Sequence, residues 1–237
     1  MSARLTFAVP SKGRLMEQTA EFLGQSGLTL RKVGHDRGYR GAIEGVDGID
    51  VSFISASEIV AALGSGRAHI GVTGEDLVRE NISNADACVT LLKPLGFGRA
   101  NVVVAVPRCW LDVSEVADLE AVAAVFRREH GRPIRVATKY LNLARRFLSG
   151  KGLADYRIVE SLGATEGTPA AGTADLIVDI TTTGATLAAN GLKVLEDGVI
   201  LRSEANLVAS KMAEWGEETK KARDTLLARL GIQVKMD

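Results

Sequence analysis

The chain has 237 residues, 46% of them hydrophobic, and its 29 basic and 29 acidic side chains give a formal net charge of zero. A chain of this length can bury one or two hydrophobic cores and needs neither a disulfide nor a metal to hold it together. Neutrality argues against a nucleic-acid-binding or polybasic membrane protein, because those carry a broad excess of Lys and Arg, so an anionic ligand must be bound by local charge.

The predicted elements alternate between short apolar runs rich in β-branched residues and segments with helical periodicity. The first strand is Leu5–Val9, and a helix follows that begins near Ser11 and ends at Gly27. Further strands are predicted at 50–54, 69–73, 89–92, 101–106, 134–138, 156–160, 176–180, 193–195 and 200–208, and further helices at 57–63, 116–127 and 141–148. Because parallel neighbours need a crossover, this order predicts parallel sheets with helices on both faces, a doubly wound α/β fold.

Two breaks divide the chain into domains. Pro94, Gly96 and Gly98 cluster in one segment, and a second break is predicted at 196–198. The predicted domains are residues 1–93 with 198–237, and an inserted domain at 94–197. The last segment, 212–230, repeats apolar residues in steps of three and four, so we expect an amphipathic helix that packs on a domain or a partner.

Cysteine content and the N-terminus favour a soluble protein of the cytoplasm. Cys88 and Cys109 each lie beside or within an apolar run and are expected to be buried thiols. The N-terminal apolar stretch is too short for a secretory signal, and no run approaches the ~18–20 apolar residues that span a bilayer. His35, His69 and His130 are isolated, which disfavours a zinc site.

The turn between the first strand and the first helix is a candidate anion site. It places Lys12, Gly13 and Arg14 at the start of the helix. Cations there oppose the helix dipole unless an anion joins them, and the N–H groups of a first helical turn can bind a phosphate. A solvated basic turn is the structural alternative.

A second candidate is the segment 175–187, in which a buried strand ends at Asp179 and a polar stretch leads into a helix. The polar stretch contains four hydroxyls and one glycine: Thr181, Thr182, Thr183, Gly184, Ala185 and Thr186. Hydroxyl and N–H donors can surround a phosphate monoester, and Asp179 can accept hydrogen bonds from sugar hydroxyls or face Mg²⁺. Ligands of open α/β sheets bind at such carboxyl ends of strands.

Three further segments are weaker candidates. Gly71–Asp76 passes from a strand into a helix, and acidic residues such as Glu75 suit the positive end of a helix without any ligand. Arg37 and Arg40 lie in a glycine-flanked stretch, and Thr138–Tyr140 adds a cation and an aromatic residue at another strand end.

The segment 166–187 resembles the signature of the ATP phosphoribosyltransferases, which perform the first step of histidine biosynthesis. The matching residues are Glu166, Gly172, Ala174, Ile177, Asp179, Ile180, Thr183, Gly184, Thr186 and Leu187. Ser11–Leu15, Gly71–Asp76, Ala137–Tyr140 and Ala189–Leu192 also look like family segments in family order. The resemblance therefore runs along nearly the whole chain.

This resemblance implies two doubly wound α/β domains around a cleft, similar to a type II periplasmic binding protein. The implied reaction joins C1 of phosphoribosyl pyrophosphate to N1 of the adenine of ATP and releases pyrophosphate, with Mg²⁺ required. Protein side chains alone are not expected to hold the metal, which would arrive with the substrate, near Asp179.

The resemblance also implies roles for individual residues. Thr181–Thr186 would hold the 5-phosphate, and Asp179 with Glu166 would hold the ribose hydroxyls or the metal-bound substrate. Lys12, Gly13 and Arg14 would bind the pyrophosphate. Arg40 would bind a phosphate in this subunit or across an interface. The remaining implied substrate-binding residues are Glu75, Lys139 and Tyr140. Among all of these, Arg14, Arg40 and Asp179 are the implied catalytic residues.

The chain departs from the family pattern in two places. Some relatives have an arginine in the segment that here reads Ile54–Ser57, so one anion contact is missing or is supplied elsewhere. Long-form members continue into a C-terminal histidine-binding domain, whereas this sequence stops at Asp237. It therefore resembles the short form, which is expected to be a homodimer that joins a regulatory subunit similar to histidyl-tRNA synthetase.

Two other functions remain open at this point. A type I phosphoribosyltransferase acting on a free base has a similar phosphate loop. That loop normally carries two adjacent acidic residues, whereas here Val178 precedes the single acidic residue Asp179. A non-catalytic solute-binding protein would share the two-lobed fold, and fold alone does not decide between binding and catalysis.

Overall fold

The computed structural model describes residues 4–33 and 39–233 and divides into two compact units. Unit 1 contains the described residues up to Gly98 and from Glu204 onward, and unit 2 contains Arg99–Ser203. The predicted borders, 93/94 and 197/198, lie inside strands, because Pro94 pairs with Asn206 within unit 1 and one strand of unit 2 runs through 197–198.

The strands are β1 Leu5–Pro10, β2 Thr29–Lys32, β3 Arg40–Glu44, β4 Ile49–Ile54, β5 Ile70–Gly74, β6 Val89–Pro94, β7 Ala100–Pro107, β8 Ile134–Thr138, β9 Tyr156–Glu160, β10 Leu176–Thr181, β11 Leu192–Ser203 and β12 Ala205–Ser210. The helices are α1 Gly13–Gly24, α2 Ala56–Gly64, α3 Glu75–Asn81, α4 Ala85–Cys88, α5 Asp118–His130, α6 Leu141–Gly150, α7 Ala185–Ala189 and α8 Glu217–Arg229, with a 3₁₀ turn at Thr165–Gly167.

Unit 1 is built on a seven-stranded sheet in the order β2-β3-β4-β1-β5-β12-β6. Strands β4, β1 and β5 are parallel, and the outer strands on both sides pair antiparallel. One face packs under α1 and α8, where Phe7 and Leu226 are fully buried, and the other face packs under α2, where Ala8 and Ile59 are fully buried. Both faces of the central parallel strands are therefore apolar.

Unit 2 is built on a five-stranded sheet in the order β11-β7-β10-β8-β9. Strands β10, β8 and β9 are parallel, whereas β7 runs antiparallel to both β10 and β11. Buried residues of β7 and β10, such as Ala105 and Ile177, pack with Leu187 of α7.

The α/β fold is as predicted, but each sheet combines its central parallel strands with antiparallel ones, which the alternation of strands and helices did not predict. A parallel neighbour requires a crossover connection. Antiparallel neighbours carry no such requirement, and here β12 pairs antiparallel with β5 and β6, while β7 pairs antiparallel with β10 and β11. Strands β2 and β3 were also missed, because β2 is largely exposed and lacks a continuous apolar run.

The prediction of two strands at 193–195 and 200–208 is wrong as well. One strand, β11, runs through the supposed break, and irregularities in its pairing with β7 lie between Val194 and Val199 and between Val199 and Leu201. A Cβ at Gly198 would lie 2.9 Å from the Leu195 Cβ and 3.0 Å from the Val104 carbonyl oxygen. The glycine therefore allows close packing inside an irregular strand and does not mark a turn.

The C-terminal helix begins later than predicted. Helix α8 begins at Glu217, and Gly216 before it is extended, so Met212 and Trp215 precede the helix. Within α8 the predicted apolar face is confirmed, because Ala222 and Leu226 are buried in unit 1. Trp215 donates its indole N–H to the Ser210 carbonyl oxygen at 2.9 Å.

The cysteines only partly match expectation. Cys88 is half-buried at the end of α4, but Cys109 is exposed in the turn after β7, so the prediction for Cys109 is wrong. In residues 4–33 and 39–233, every helix is too short or too polar to cross a bilayer.

Unit 2 contains a buried ion-pair network at the beginning of β10. The Asp175 carboxylate, 8% exposed, accepts hydrogen bonds from the Arg132 guanidinium at 2.6 and 2.9 Å and from the Arg135 backbone N–H at 2.8 Å. Burial by itself would raise the pKa of Asp175, but the hydrogen bonds from Arg132 and Arg135 outweigh it and lower the pKa to about 2.

Because this pKa lies below that of the unfolded chain, Asp175 stabilises the fold above pH ~4, and the stabilisation is lost as pH falls toward 2. We expect Asp175→Asn to lower the free energy of unfolding at pH 7 by about 2 kcal/mol, measured by urea denaturation. The control is Asp155→Asn in the exposed Arg127–Asp155 pair, which should lower the free energy of unfolding clearly less than Asp175→Asn does. Equal losses in both variants would contradict the assignment.

Candidate active site

In unit 2, the pairing of the parallel strands β8 and β10 ends beside two charged residues. Val178 of β10 pairs with Thr138 of β8, so the next residues, Asp179 and Lys139, extend together from that edge. Both side chains are half-buried. The carboxyl ends of neighbouring parallel strands are the usual binding edge of an α/β sheet, and the predicted site lies at this edge.

The charges of three predicted residues act on one another here. Burial raises the pKa of Asp179, the N–H of Ile180 and the charge of Lys139 oppose that rise, and the charge of Glu166 adds to it. The backbone N–H of Ile180 donates to Asp179 Oδ1 at 2.8 Å. The structure therefore brings Asp179, Glu166 and Lys139 together, although they are far apart in sequence.

The threonine-rich stretch forms a compact loop after β10. The Thr181 hydroxyl accepts from the Gly184 N–H at 2.8 Å, and the Thr183 hydroxyl accepts from the Ala185 N–H at 3.3 Å. A hydroxyl that accepts one bond still has its own proton to donate, so Thr181 and Thr183 remain donors toward an anion. The Thr182 hydroxyl instead donates to the Arg99 carbonyl oxygen at 3.1 Å.

The loop ends in a turn that requires glycine. Gly184 has φ +76°, in the left-handed region, and precedes the five-residue helix α7. Thr186, in α7, is exposed, and Ala185 begins that helix. Because α7 is so short, the donors that this loop offers to an anion are its hydroxyls and N–H groups, with little contribution from a helix dipole.

The predicted contact of Tyr140 with substrate is not supported. Its ring is 1% exposed, and its backbone N–H donates to the Thr138 hydroxyl at 2.8 Å. Lys139 Nζ lies 5.1 Å from the centre of this ring. Tyr140 is therefore a core residue that packs beside Lys139, and a strand-end aromatic gives no indication in sequence of which way its ring will turn.

In unit 1, strands β4, β1 and β5 also end together at one edge. Pro10 of β1 pairs with Ile54 of β4, and the Ser11 N–H donates to the Ile54 carbonyl oxygen at 2.9 Å. Lys12 follows in extended conformation, and Gly13 and Arg14 begin α1. The first-turn N–H groups of a helix have no partner within the helix, so this turn offers donors beside two exposed cations.

The charge distribution of α1 favours a bound anion. Its first turn contains no acidic residue, and no side chain caps its N-terminus. Arg40 begins β3 opposite Ser52, near the carboxyl end of β4, so it lies toward the same edge. Within the described residues, Lys12, Arg14 and Arg40 form no ion pair. Arg37 and His35 lie outside the described residues.

Two residues near this edge have structural partners. Glu75, predicted to bind substrate, forms an ion pair with Arg79 at 3.2 Å, and its N–H donates to the Glu204 carbonyl oxygen at 3.1 Å. Its carboxylate is therefore already engaged, and the Glu–Arg spacing of four residues could have revealed this pair. Ser55, in the segment where some relatives have arginine, caps α2 in a reciprocal capping box with Glu58.

A third residue at this edge lies in the weak candidate segment Gly71–Asp76, but it was not itself predicted to bind substrate. Thr73 lies near the end of β5 and is fully buried, yet its hydroxyl has no hydrogen-bond partner in the described structure. A buried hydroxyl without a partner is rare in folded proteins. Sequence alone gives no signal for it, because threonine is common in strands.

No group of three or more His, Cys, Asp or Glu side chains in the described ranges could hold a metal ion. His69 has a structural role, since its Nδ1 accepts the Thr6 N–H at 3.1 Å. The pair Asp179 and Glu166 does fit Mg²⁺ that arrives on a phosphorylated substrate, because Mg²⁺ commonly binds one or two carboxylates together with substrate oxygens and water.

Comparison with known families agrees with this geometry. Residues 55–231, which include the unit 2 site, match the family model described as ATP phosphoribosyltransferase. The chain belongs to the ATP phosphoribosyltransferase family. Its membership decides against a type I phosphoribosyltransferase acting on a free base, and against a solute-binding protein.

Similar ATP phosphoribosyltransferases have been described in several bacteria. Over 235 residues the chain is 57% identical to the enzyme of Bradyrhizobium diazoefficiens and 59% identical to that of Bradyrhizobium sp. strain ORS 278. Each alignment covers 99% of this chain and 72% of the relative, so both relatives contain a further segment.

Solved structures support the family and the fold. The chain is 26% identical, with a TM-score of 0.72 and 96% coverage of both chains, to a structure described as the ATP phosphoribosyl transferase (HisG:HisZ) complex of Thermotoga maritima. A sensor domain similar to periplasmic binding proteins (14% identity, TM-score 0.51, covering 96% of this chain and 89% of that one) shares the fold alone. The same holds for the arginine-bound form of truncated ArgBP from T. maritima (12% identity, TM-score 0.51, covering 97% and 95%). The expected periplasmic-binding-protein-like fold is confirmed.

The raised pKa of Asp179 gives a stability test for the candidate site in unit 2. A carboxyl whose pKa is higher in the folded state makes stability fall as pH rises above ~4, and the cost persists at pH 7. We expect Asp179→Asn to leave the free energy of unfolding at pH 7 unchanged or to raise it by up to about 1 kcal/mol, measured by urea denaturation. A loss as large as that of Asp175→Asn would mean that Asp179 is structural.

Proposed function

We propose that this chain joins C1 of 5-phosphoribosyl 1-pyrophosphate to N1 of the adenine of ATP, giving phosphoribosyl-ATP and pyrophosphate. The family assigns the activity and the place of the reaction as the first step of histidine biosynthesis. The observation that carries the site assignment is the convergence of Asp179, Glu166 and Lys139 beside the threonine loop at one edge of unit 2.

In unit 2, we assign the ribose 5-phosphate to the loop Thr181–Thr186. The loop offers hydroxyl and N–H donors, and Thr183 is exposed. Asp179 and Glu166 accept hydrogen bonds from the ribose hydroxyls, as carboxylates do in many sugar sites, and they also fit the Mg²⁺ that a pyrophosphate substrate carries. Lys139 balances the two negative charges.

In unit 1, we assign the pyrophosphate to Lys12, Gly13 and Arg14, and a further phosphate to Arg40. When the bond to pyrophosphate breaks, negative charge grows on the leaving group and positive charge grows at C1 of the ribose. Fixed cations stabilise the first and the two carboxylates stabilise the second. Bound Mg²⁺ supplies additional neutralisation of the pyrophosphate. Adenine N1 carries a free electron pair, so the new bond forms without a general base.

We propose Mg²⁺ as the metal, the cytoplasm as the location, and a homodimer joined to a regulatory subunit similar to histidyl-tRNA synthetase as the assembly. The match to a structure described as a HisG:HisZ complex supports a partner of the HisZ type. The deciding experiment mixes purified chain, ATP, Mg²⁺ and phosphoribosyl pyrophosphate, with and without that partner, and follows phosphoribosyl-ATP by absorbance. Absence of product under both conditions would overturn the proposal.

Substitutions at the unit 2 site should remove activity and leave the fold intact. We expect Asp179→Ala to lower kcat/KM by at least about 100-fold, because it removes charge opposite the developing C1 cation. Thr183→Val should lower it about tenfold through loss of one phosphate hydrogen bond. The control is Thr225→Val, an exposed hydroxyl that donates to the Lys221 carbonyl oxygen. Near-normal turnover of both site variants would contradict the assignment.

Arg14, in the first turn of α1, is expected to weaken the stability of the helix slightly and to strengthen substrate binding, so its removal should change the two properties in opposite directions. Arg14→Gln should raise KM for phosphoribosyl pyrophosphate about tenfold, while the free energy of unfolding stays equal or rises by a few tenths of a kcal/mol, since the cation opposes the helix dipole. Arg229→Gln, in the last turn of α8, should lower stability slightly and leave KM unchanged. An unchanged KM for Arg14→Gln would remove Arg14 from the site.

A further inference from the structure

The turn that leads to Glu166 has an unusual backbone. Ala164 has φ +49° and is the one non-glycine residue with positive φ among the described residues. An L-residue adopts this left-handed conformation at a cost, and it persists where surrounding contacts fix it. Glu166 lies two residues later, in the 3₁₀ turn Thr165–Gly167. The contacts that fix Ala164 therefore also determine where the Glu166 carboxylate lies.

A buried hydroxyl supplies those contacts. Thr165 is 3% exposed, and its hydroxyl donates to the Ser161 hydroxyl at 3.0 Å. The backbone N–H of Ser161 in turn donates to the carbonyl oxygen of Thr138, the last residue of β8, at 3.0 Å. One chain of hydrogen bonds thus connects the turn that contains Glu166 to the strand end that precedes Lys139.

Local hydrogen bonds also hold the 3₁₀ turn together on either side of Thr165. The Gly167 N–H donates to the Ala164 carbonyl oxygen at 3.1 Å, and the Thr168 hydroxyl donates to the Thr165 carbonyl oxygen at 2.7 Å. These local bonds hold the shape of the turn. The carbonyl oxygen of Thr168 also accepts from the N–H groups of Thr173 and Ala174, just before β10, so the turn is held on that side as well. The bond from Thr165 to Ser161 adds the connection toward β8.

We propose that Thr165 is a positioning residue, whose hydroxyl fixes the Glu166 carboxylate at the edge where Asp179 and Lys139 lie. This inference rests on the proposed role of Glu166 in binding the ribose hydroxyls or the metal-bound substrate. Thr165 itself is buried and acts only through Glu166.

Thr165→Val tests the proposal, because valine keeps the shape of the side chain and removes the donor. We expect KM for phosphoribosyl pyrophosphate to rise about five- to tenfold, with kcat changed less than about twofold, because one positioned contact in the ground state and the transition state is lost. Thr165→Ser, which retains the hydroxyl, should restore KM to within about twofold of wild type. Ser161→Ala removes the hydroxyl acceptor and leaves the longer contact, 3.5 Å, of the Thr165 hydroxyl with the Ser161 carbonyl oxygen, so KM should rise less than in Thr165→Val.

A double-mutant cycle separates positioning from a general loss of structure. Once Glu166→Gln has removed the carboxylate, Thr165→Val should produce no further rise in KM. The matched control is Thr219→Val, which removes another fully buried threonine hydroxyl, bonded to the Gly216 carbonyl oxygen in unit 1. It should leave KM unchanged. Circular dichroism and urea denaturation of each variant confirm that it is folded.

The outcomes distinguish this inference from the proposed function. An unchanged KM in folded Thr165→Val, or an equal rise in KM on the Glu166→Gln background, would overturn the role of Thr165. If Thr165→Val does not fold, the same two results for Thr165→Ala, which also removes the hydroxyl, decide. A normal KM in Glu166→Gln would overturn the assignment of Glu166 and this inference with it, whereas absence of phosphoribosyl-ATP in wild type would overturn the proposed function.

Discussion

The unit 2 site depends on the parallel hydrogen-bonded pairing of β8 with β10, which ends both strands at one edge of the sheet. This pairing places Asp179 beside Lys139 although forty residues separate them in sequence. Everything else at the site is arranged around that edge. The threonine loop continues directly from β10, and the turn that contains Glu166 is connected through Ser161 to the last residue of β8.

Two aspartates along the segment of β10 have pKa values that shift in opposite directions. At its beginning, Asp175 is surrounded by Arg132 and Arg135, and its pKa falls to about 2. At its other end, burial and Glu166 raise the pKa of Asp179. The Asp175 carboxylate is satisfied by two arginines of its own unit, whereas the carboxylate of Asp179, which we propose binds substrate, is compensated only in part by Lys139 and the Ile180 N–H. The two aspartates are of the same residue type four positions apart, and only their partners differ.

How far the sequence predicts this molecule depends on whether the deciding interactions are local. Asp179 and the threonine loop were predicted because a buried strand, a carboxylate and hydroxyls follow one another along the chain. The pairing of Glu75 with Arg79 and the capping box at Ser55 are also local and readable from their spacing. The burial of Tyr140 and the unpartnered Thr73 depend on tertiary packing, which no local pattern contains. The antiparallel pairing of β12 with β5 and β6 likewise depends on tertiary structure, because these strands are far apart in sequence.

The position of β12 between β5 and β6 affects the order in which the protein can fold during synthesis. Strand β6 pairs in the sheet of unit 1 through β12, and β12 also covers β5, yet β12 is made only after the whole of unit 2. Unit 2 is continuous in sequence and can complete its hydrogen bonding as soon as β11 leaves the ribosome. The first 98 residues must wait with the edge of β5 unpaired, a state in which exposed strand edges are open to wrong pairing. Unit 1, which contains the first residues to be made, is therefore the unit whose sheet is completed last.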